Sequence, residues 1–331
     1  MQNNTAMEFT VFFRYILCPI LLGGLGAWAL SRYGHRLKIM DKPTNRSSHV
    51  KNIPKGGSIG ILGAFIVSSL SLGFSGFFWL PAVFLSLICL LGDRVELPIP
   101  FRLLVQTLCT VIVLVYYFYE TGFGYYVLFP FMVLFIVGTA NFYNFMDGID
   151  GIAGISSVLA FGLLGAFMQI NGADVRFSFL AASIVFSSLA FLYFNLPVAR
   201  VFMGDVGSVF LGFVFSLMVI FTARDLIDFV CMAGFLFLFY MDELTTMDVR
   251  LKKKESLFKA HRKHLYQILA NEMGKAHWKI SSGYGICQLM IGTAAIFLRP
   301  YGLGVLFFLY GVCAVIFICF SNSIRNKAFL K

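Results

Sequence analysis

Long apolar segments alternate with short polar ones along almost the whole chain. A membrane-spanning helix needs about 20 mostly apolar residues, and a window of that length predicts eleven such segments. They are residues 9–30, 56–74, 76–92, 102–120, 125–143, 149–170, 177–195, 206–222, 226–244, 281–298 and 301–320. The second and third nearly fuse at Gly73–Gly76, so an interpretation with ten spans stays open. The pattern predicts an all-α polytopic membrane protein, a single integral domain over 1–331 with longer polar loops at 31–55 and 245–280.

The composition agrees with the apolar pattern. Of 331 residues, 59% are apolar and 13% are charged, against about 25% charged residues in globular proteins. A soluble domain of this size has too little interior to bury that many apolar side chains. The composition therefore excludes an ordinary soluble enzyme, a disordered chain and a nucleic-acid-binding tail.

The placement of positive charge predicts the orientation. With the N-terminus outside, all but four of the 26 Lys and Arg residues fall in inside loops or the C-terminal tail; the four are Arg14, Arg176, Arg224 and Arg299. An excess of Lys and Arg marks the cytoplasmic side. The C-terminus and the two long loops are therefore expected in the cytoplasm, and much of the net charge of +10 is an orientation signal.

Two polar clusters at span ends carry carboxylates. Asn144, Asp147 and Asp150 interrupt a long apolar stretch, and Asp205 stands between glycines at the start of another span. Acids and amides beside glycines suit a hard, oxygen-seeking cation such as Mg²⁺. A simple helix N-cap would explain Asp205 alone, but it would not explain the recurrence of the pattern. Ionisable groups at these positions are functional candidates.

Two basic segments face the same predicted side. Lys55 precedes two glycines, and His261, Arg262 and His264 lie close together in the second long loop. A solvated basic loop that meets lipid headgroups is the plain alternative, and zinc is disfavoured because no third protein ligand stands at suitable spacing. Mg²⁺ with Lys, Arg and His charges is typical of phosphoryl transfer, whereas the sequence has no Walker motif for an ATPase.

At these motifs the chain resembles the polyprenyl-phosphate N-acetylhexosamine-1-phosphate transferase superfamily, which includes phospho-N-acetylmuramoyl-pentapeptide transferase. The resemblance runs from about residue 41 to residue 267. It is most specific at 144–151 (NFMDGIDG) and 202–208 (FMGDVGS). The segments 41–49 (DKPTNRSSH) and 261–267 (HRKHLYQ) most resemble the branch that initiates O-antigen synthesis.

The resemblance implies a Mg²⁺-dependent reaction, with Mn²⁺ as an alternative ion. A UDP-N-acetylsugar gives its sugar-1-phosphate to polyprenyl phosphate, undecaprenyl phosphate in the family, with release of UMP at the cytoplasmic face of the bacterial inner membrane. The implied catalytic residues are Asp93, Asp147, Asp205 and His264, with Asp147 and Asp205 as metal ligands. The implied substrate-binding residues are Asn144, Asp150, Phe202, Lys55, Arg262 and His261.

Two positions depart from the family pattern. Gly92-Asp93 replaces the usual Asp-Asp pair, and Tyr266 stands where many relatives carry a histidine. The first departure keeps a third interpretation open, an inactive scaffold for glycan assembly. A transporter of an anionic solute is the other alternative, although its polar sites would lie near the bilayer midplane. The sugar, the glycan pathway and a homodimer are left open by the sequence.

Overall fold

The protein is described here by a computed structural model covering residues 10–43, 48–49, 51–95, 97–256 and 261–329. Most of the described chain is helical. The helices are α1 (Thr10–Tyr33), α2 (Ile59–Ser71), α3 (Gly76–Arg94), α4 (Ile99–Thr121), α5 (Phe129–Met146), α6 (Ile152–Ile170), α7 (Val175–Asn195), α8 (Asp205–Thr222), α9 (Leu226–Ala233), α10 (Phe237–Lys252), α11 (Leu265–Gln267), α12 (His277–Leu298) and α13 (Leu303–Phe329).

The prediction of an all-α polytopic membrane protein is confirmed. Within the described ranges, nine helices are long and apolar enough to cross a membrane, and each coincides with one predicted span. The other two predicted spans differ in form. Residues 56–74 contain only the 13-residue α2, and residues 226–244 contain α9 and α10 separated by a 3-10 turn. The span count and the orientation stay predictions.

The two long polar loops have structure of their own. In the first, β1 (Met40–Asp41) pairs antiparallel with β2 (Ile53–Pro54). The amide of Phe202 donates to the Pro54 carbonyl at 2.8 Å, which fastens this ribbon to the turn before α8. In the second, residues 245–252 are helical rather than loop, because α10 continues past the apolar segment with a polar sequence. Lys252 pairs with Asp248 on that polar turn at 2.6 Å.

Helix α8 forms the centre of the bundle. Of the 18 residues in its most apolar window, 89% are buried, against 11% in α13. Gly212 allows α5 to approach closely, because a Cβ there would lie 2.7 Å from the Thr139 carbonyl oxygen. Asp205 is the first residue of this central helix, so the packed helix sets its place while its side chain stays about 30% exposed.

Candidate active site

A cleft of about 350 Å³ opens where α3 and α5 end and α8 begins. The first polar loop and the His261–Gln267 segment complete its walls. Seven predicted site residues line it: Lys55, Asp93, Asn144, Asp147, Phe202, Asp205 and His261. The structure therefore brings together residues that lie more than 200 positions apart in the sequence.

The ends of α5 and α8 are joined directly. Asp147 follows the last residue of α5, and its amide donates to the Asn144 carbonyl at 3.2 Å. The Ser208 hydroxyl of α8 donates to the Asn144 side-chain oxygen at 2.7 Å. Gly204 supplies the left-handed backbone (φ 76°) from which α8 starts. Asn144 therefore fixes the acidic turn of α5 against Asp205.

Negative charge in the cleft is only partly compensated. Loss of solvent, followed by repulsion from Asp205 and Asp93, raises the pKa of Asp147 to about 8. Arg102 at the start of α4 pairs with Asp205 at 2.5 Å. Among the described residues the buried Oδ2 of Asp93 has no hydrogen-bond partner. An orphaned carboxylate oxygen beside two further acids favours a cation as the missing partner.

The residues present fit a magnesium ion that also binds phosphate. In the described part of the chain, no three His, Cys, Asp or Glu side chains are close enough to enclose a metal by themselves. Mg²⁺ usually takes one or two carboxylates and fills its other positions with water and substrate phosphates. Asp147 and Asp205 supply that kind of donor set, and Asp93 lines the same cleft.

Lys55 brings positive charge to the cleft. Its ammonium lies 3.1 Å from Asp41. Burial lowers the pKa of Lys55, but Asp41 and Asp93 outweigh that effect and hold the pKa above its usual value. Lys55 therefore stays a cation beside the acidic cluster, where it suits a phosphate.

The two histidines do not supply the expected positive charge. The pKa of both His261 and His264 is lowered to about 3. Burial is the largest cause, and nearby positive charges add to it. Both rings are therefore neutral near pH 7. His264 is also 2% exposed and lies behind the cleft wall, 3.5 Å from Glu243. His264 does not line the cleft in the described structure, whereas His261 does. A contact between His264 and the diphosphate stays a prediction.

Two other predicted substrate-binding residues point elsewhere. The Asp150 carboxylate lies 3.1 Å from His277 Nδ1, because Gly151 (φ 83°) turns the chain into α6 directly after it. Arg262 pairs with Glu272 at 3.1 Å. Neither lines the cleft in the described structure, so spacing within a motif placed them correctly along the chain but not in space.

Other residues line the cleft without having been assigned a role from the sequence. Asp41, Ser48, His49 and Gln267 lie inside the recognised motifs, whereas residues 44–47 of the first motif lie outside the described residues. Asn195 was missed. Its side-chain oxygen accepts from the Gly151 amide at 2.7 Å, and its amide donates to the Val201 carbonyl at 2.9 Å. A polar residue at the last position of a predicted span was the available signal.

The chain is similar to known transferases over a large part of its length. The family model for glycosyl transferase family 4 matches residues 63–223. A probable undecaprenyl-phosphate N-acetylglucosaminyl 1-phosphate transferase of Bacillus subtilis is 26% identical, over 57% of each chain.

Two further relatives match different lengths of the chain. An undecaprenyl-phosphate α-N-acetylglucosaminyl 1-phosphate transferase of Thermotoga maritima is 27% identical over 91% of this chain and 95% of its own. A phospho-N-acetylmuramoyl-pentapeptide-transferase of Wolbachia is 34% identical over 32% of each chain. The resemblance given by the motifs is thereby confirmed, and the chain is related to glycosyl transferase family 4 and to the undecaprenyl-phosphate sugar-1-phosphate transferases.

Proposed function

We propose that this protein transfers an N-acetylated sugar-1-phosphate from a UDP-sugar to a polyprenyl phosphate, with undecaprenyl phosphate as the bacterial lipid. The observation that carries the proposal is the cleft itself. Asp93, Asp147 and Asp205 meet there with one unpaired buried oxygen, and Lys55 stands beside them. The names of the relatives support the lipid and the sugar-1-phosphate class.

The proposed reaction exchanges one phosphoanhydride bond for another. An oxygen of the lipid phosphate attacks the β-phosphorus of the UDP-sugar, the bond between the β-phosphorus and the bridging oxygen breaks, and UMP leaves. Bound Mg²⁺ supplies charge neutralisation for the phosphate oxygens. A phosphate monoester is already largely ionised at neutral pH, with a second pKa of about 6. The lipid phosphate therefore needs no second acid beside Asp93 to act as a base.

The cleft residues divide the work. Asp147 and Asp205 would hold the cation, and Asp93, with one oxygen free of hydrogen bonds among the described residues, adds negative charge beside them. Lys55 stabilises negative charge on the transferred phosphate. Phe202, whose ring meets His49 edge to face with centroids 4.9 Å apart, offers an aromatic surface for the uracil base.

The position of the cleft supports the predicted sidedness. It lies at helix ends, where the apolar spans stop, and not midway along them. This is unlike the midplane site of a transporter. The positive charge predicted to be cytoplasmic, including Lys55, lies at the same end. We therefore place the reaction at the cytoplasmic face of the inner membrane, as the first membrane step of a cell-surface glycan.

The decisive experiment measures UMP. Purified protein in detergent receives undecaprenyl phosphate, Mg²⁺ and a panel of UDP-N-acetylsugars, and at least one donor should yield UMP in a reaction that EDTA stops. Protein with Asp205→Asn is the matched control for contaminating transferase. No UMP from any donor, with EDTA making no difference, would overturn the enzyme interpretation.

A further inference from the structure

Tyr266 lies between the acidic turn of α5 and the second polar loop. Its side chain is fully buried and does not line the cleft. The sequence left its role open, because many relatives carry a histidine there and a direct phosphate contact was the natural expectation. In this chain Tyr266 touches the cleft only through other residues.

On one side Tyr266 holds the end of α5. Its hydroxyl donates to the carbonyl of Phe145 at 2.8 Å, in the last turn of the helix, where carbonyls lack partners within the helix. Gly148 packs against the same ring, since a Cβ at Gly148 would come within 2.2 Å of the Tyr266 hydroxyl oxygen. Asp147 stands between these two contacts in the sequence, so Tyr266 fixes the backbone on both sides of the proposed metal ligand.

On the other side Tyr266 is itself held firmly. Asp242 of α10 accepts hydrogen bonds from the amides of Leu265 at 2.7 Å and Tyr266 at 3.3 Å. Arg325 of α13 donates to the carbonyl of Lys263 at 2.7 Å. The tyrosine therefore acts from an anchored backbone, and its hydroxyl transmits that position to α5.

The same ring supports the histidine wall of the cleft. Tyr266 stacks on His264 with ring centroids 5.6 Å apart, and His264 contacts His261 at 4.9 Å. His261 lines the cleft. One buried tyrosine thus lies behind both the acidic turn and the loop wall that faces it.

We propose that Tyr266 is a positioning residue, whose hydroxyl sets the acidic turn at Asn144–Asp147 for binding of the divalent cation. The inference rests on the proposed function, because that function gives the cation its role, but the test measures cation binding directly. The tyrosine does the work through backbone geometry, and not as a ligand of the diphosphate.

The test compares two buried tyrosines. Tyr284 also lies behind the loop and donates its hydroxyl to Asp242 at 2.7 Å, but it does not touch α5's acidic turn. We expect Tyr266→Phe to weaken Mn²⁺ binding in detergent, followed by electron paramagnetic resonance, about five- to tenfold, the effect of one hydrogen bond. Tyr284→Phe should lower the Tm about as much as Tyr266→Phe does, but it should leave the Mn²⁺ Kd unchanged.

A kinetic split sharpens the expectation. Tyr266→Phe should raise the Mg²⁺ concentration that gives half-maximal UMP release, and saturating Mg²⁺ should restore most of kcat. A general structural defect would lower kcat at every Mg²⁺ concentration. Equal Mn²⁺ Kd values for wild type and Tyr266→Phe, or equal shifts in both tyrosine variants, would overturn the inference.

A second variant covers the case in which Tyr266→Phe does not fold. Gly148→Ala pushes on the same hydroxyl from the opposite side and should also weaken Mn²⁺ binding. Where both single variants fold, the loss of Mn²⁺-binding free energy in the double variant should be smaller than the sum of the two single losses. Removing the hydroxyl removes the 2.2 Å clash and leaves ring contacts of 3.0 Å. Strict additivity would count against the proposal. Mn²⁺ shifts without UMP from any donor would remove the proposed function and leave this inference standing.

Discussion

Two acidic centres of the molecule use their carboxylates in opposite ways. In the cleft, Asp93, Asp147 and Asp205 crowd together, and one carboxylate oxygen has no partner among the described residues. Both carboxylate oxygens of the buried Asp242, in contrast, accept hydrogen bonds. Its two oxygens accept from the hydroxyls of Tyr284 at 2.7 Å and Thr246 at 3.3 Å, besides the two amides of α11.

This difference distinguishes a ligand-binding site from a centre that stabilises the fold. A carboxylate with four donors is stabilised in one geometry, so the Asp242 centre orders the loop and needs nothing further. Three carboxylates that repel one another are stable only when charge is supplied, which is the condition of a ligand site. Neutralising an acid of the cleft should therefore change activity most, whereas neutralising Asp242 should change thermal stability most.

Asp205→Asn should have the largest effect on activity. The change keeps the shape and removes one of the charges that hold the cation, so we expect UMP release to fall at least about 10³-fold, the equivalent of several kcal/mol. The Tm in metal-free buffer should change little, because loss of the ion pair with Arg102 offsets the relief of repulsion among the acids. Normal turnover would refute the metal assignment.

Asp242→Asn should have the largest effect on stability. An amide cannot accept from all four donors, and leaving buried donors unpaired costs about 2–4 kcal/mol. Thermal unfolding in detergent should show a clear fall in Tm, with UMP release lowered through displacement of the loop. If this variant matched wild type in Tm but lost Mn²⁺ binding outright, the division between the two centres would fail.

His264 should make the loop sensitive to acid. Its pKa in the folded protein, about 3, lies below the unfolded value of about 6.5. The stability it contributes is therefore complete above about pH 6.5 and is lost as the pH falls towards 3, costing about 1 kcal/mol at pH 5.5. His261 titrates in the same direction.

The measurement for this effect is the Tm at two pH values. Between pH 7.5 and pH 5.5, wild type should lose more Tm than His264→Gln does. The difference should not depend on added Mg²⁺, because His264 lies behind the cleft wall. An identical pH dependence in both proteins would contradict the buried neutral ring.

Gly92→Asp should have the smallest effect. A Cβ at Gly92 would meet only Leu97, at an ordinary 3.4 Å, so the side chain fits. If Asp93 already suffices, restoring the family's Asp-Asp pair should leave turnover within about threefold of wild type, under 1 kcal/mol. Gly92→Asn is the control for size without charge. A large loss with aspartate would show that the last turn of α3 depends on glycine.

The apolar pattern predicted the bundle well because span length and hydropathy are local properties. Nine of the eleven predicted segments coincide with helices long enough to span a membrane, and Asp205 was placed correctly at the start of a helix. What the pattern could not give are the contacts over long distances. The resemblance assigned His264 to the diphosphate and Asp150 to the substrate, and only the fold shows His264 buried against Glu243 and Asp150 beside His277.

The Asp242 centre was not recognised from the sequence. Asp242 and Glu243 stood at the end of a predicted apolar span, where an ionisable residue is itself a signal. The partners that explain Asp242 lie in α11 and α12, more than twenty residues further along the chain. A one-dimensional pattern could mark the acid, but it could not supply those partners.

The anchoring of the loop by α13 has a consequence for biogenesis. Arg325 donates both to the Lys263 carbonyl and to the hydroxyl of Thr246, so the backbone that carries Tyr266 is braced by a helix made long after the acidic residues of the cleft. Domains acquire structure progressively during synthesis. A nascent chain that has already made α3, α5 and α8 therefore carries the acids of the cleft before it carries Arg325, and we expect the backbone that bears Tyr266 to gain this anchor only once α13 has been synthesised.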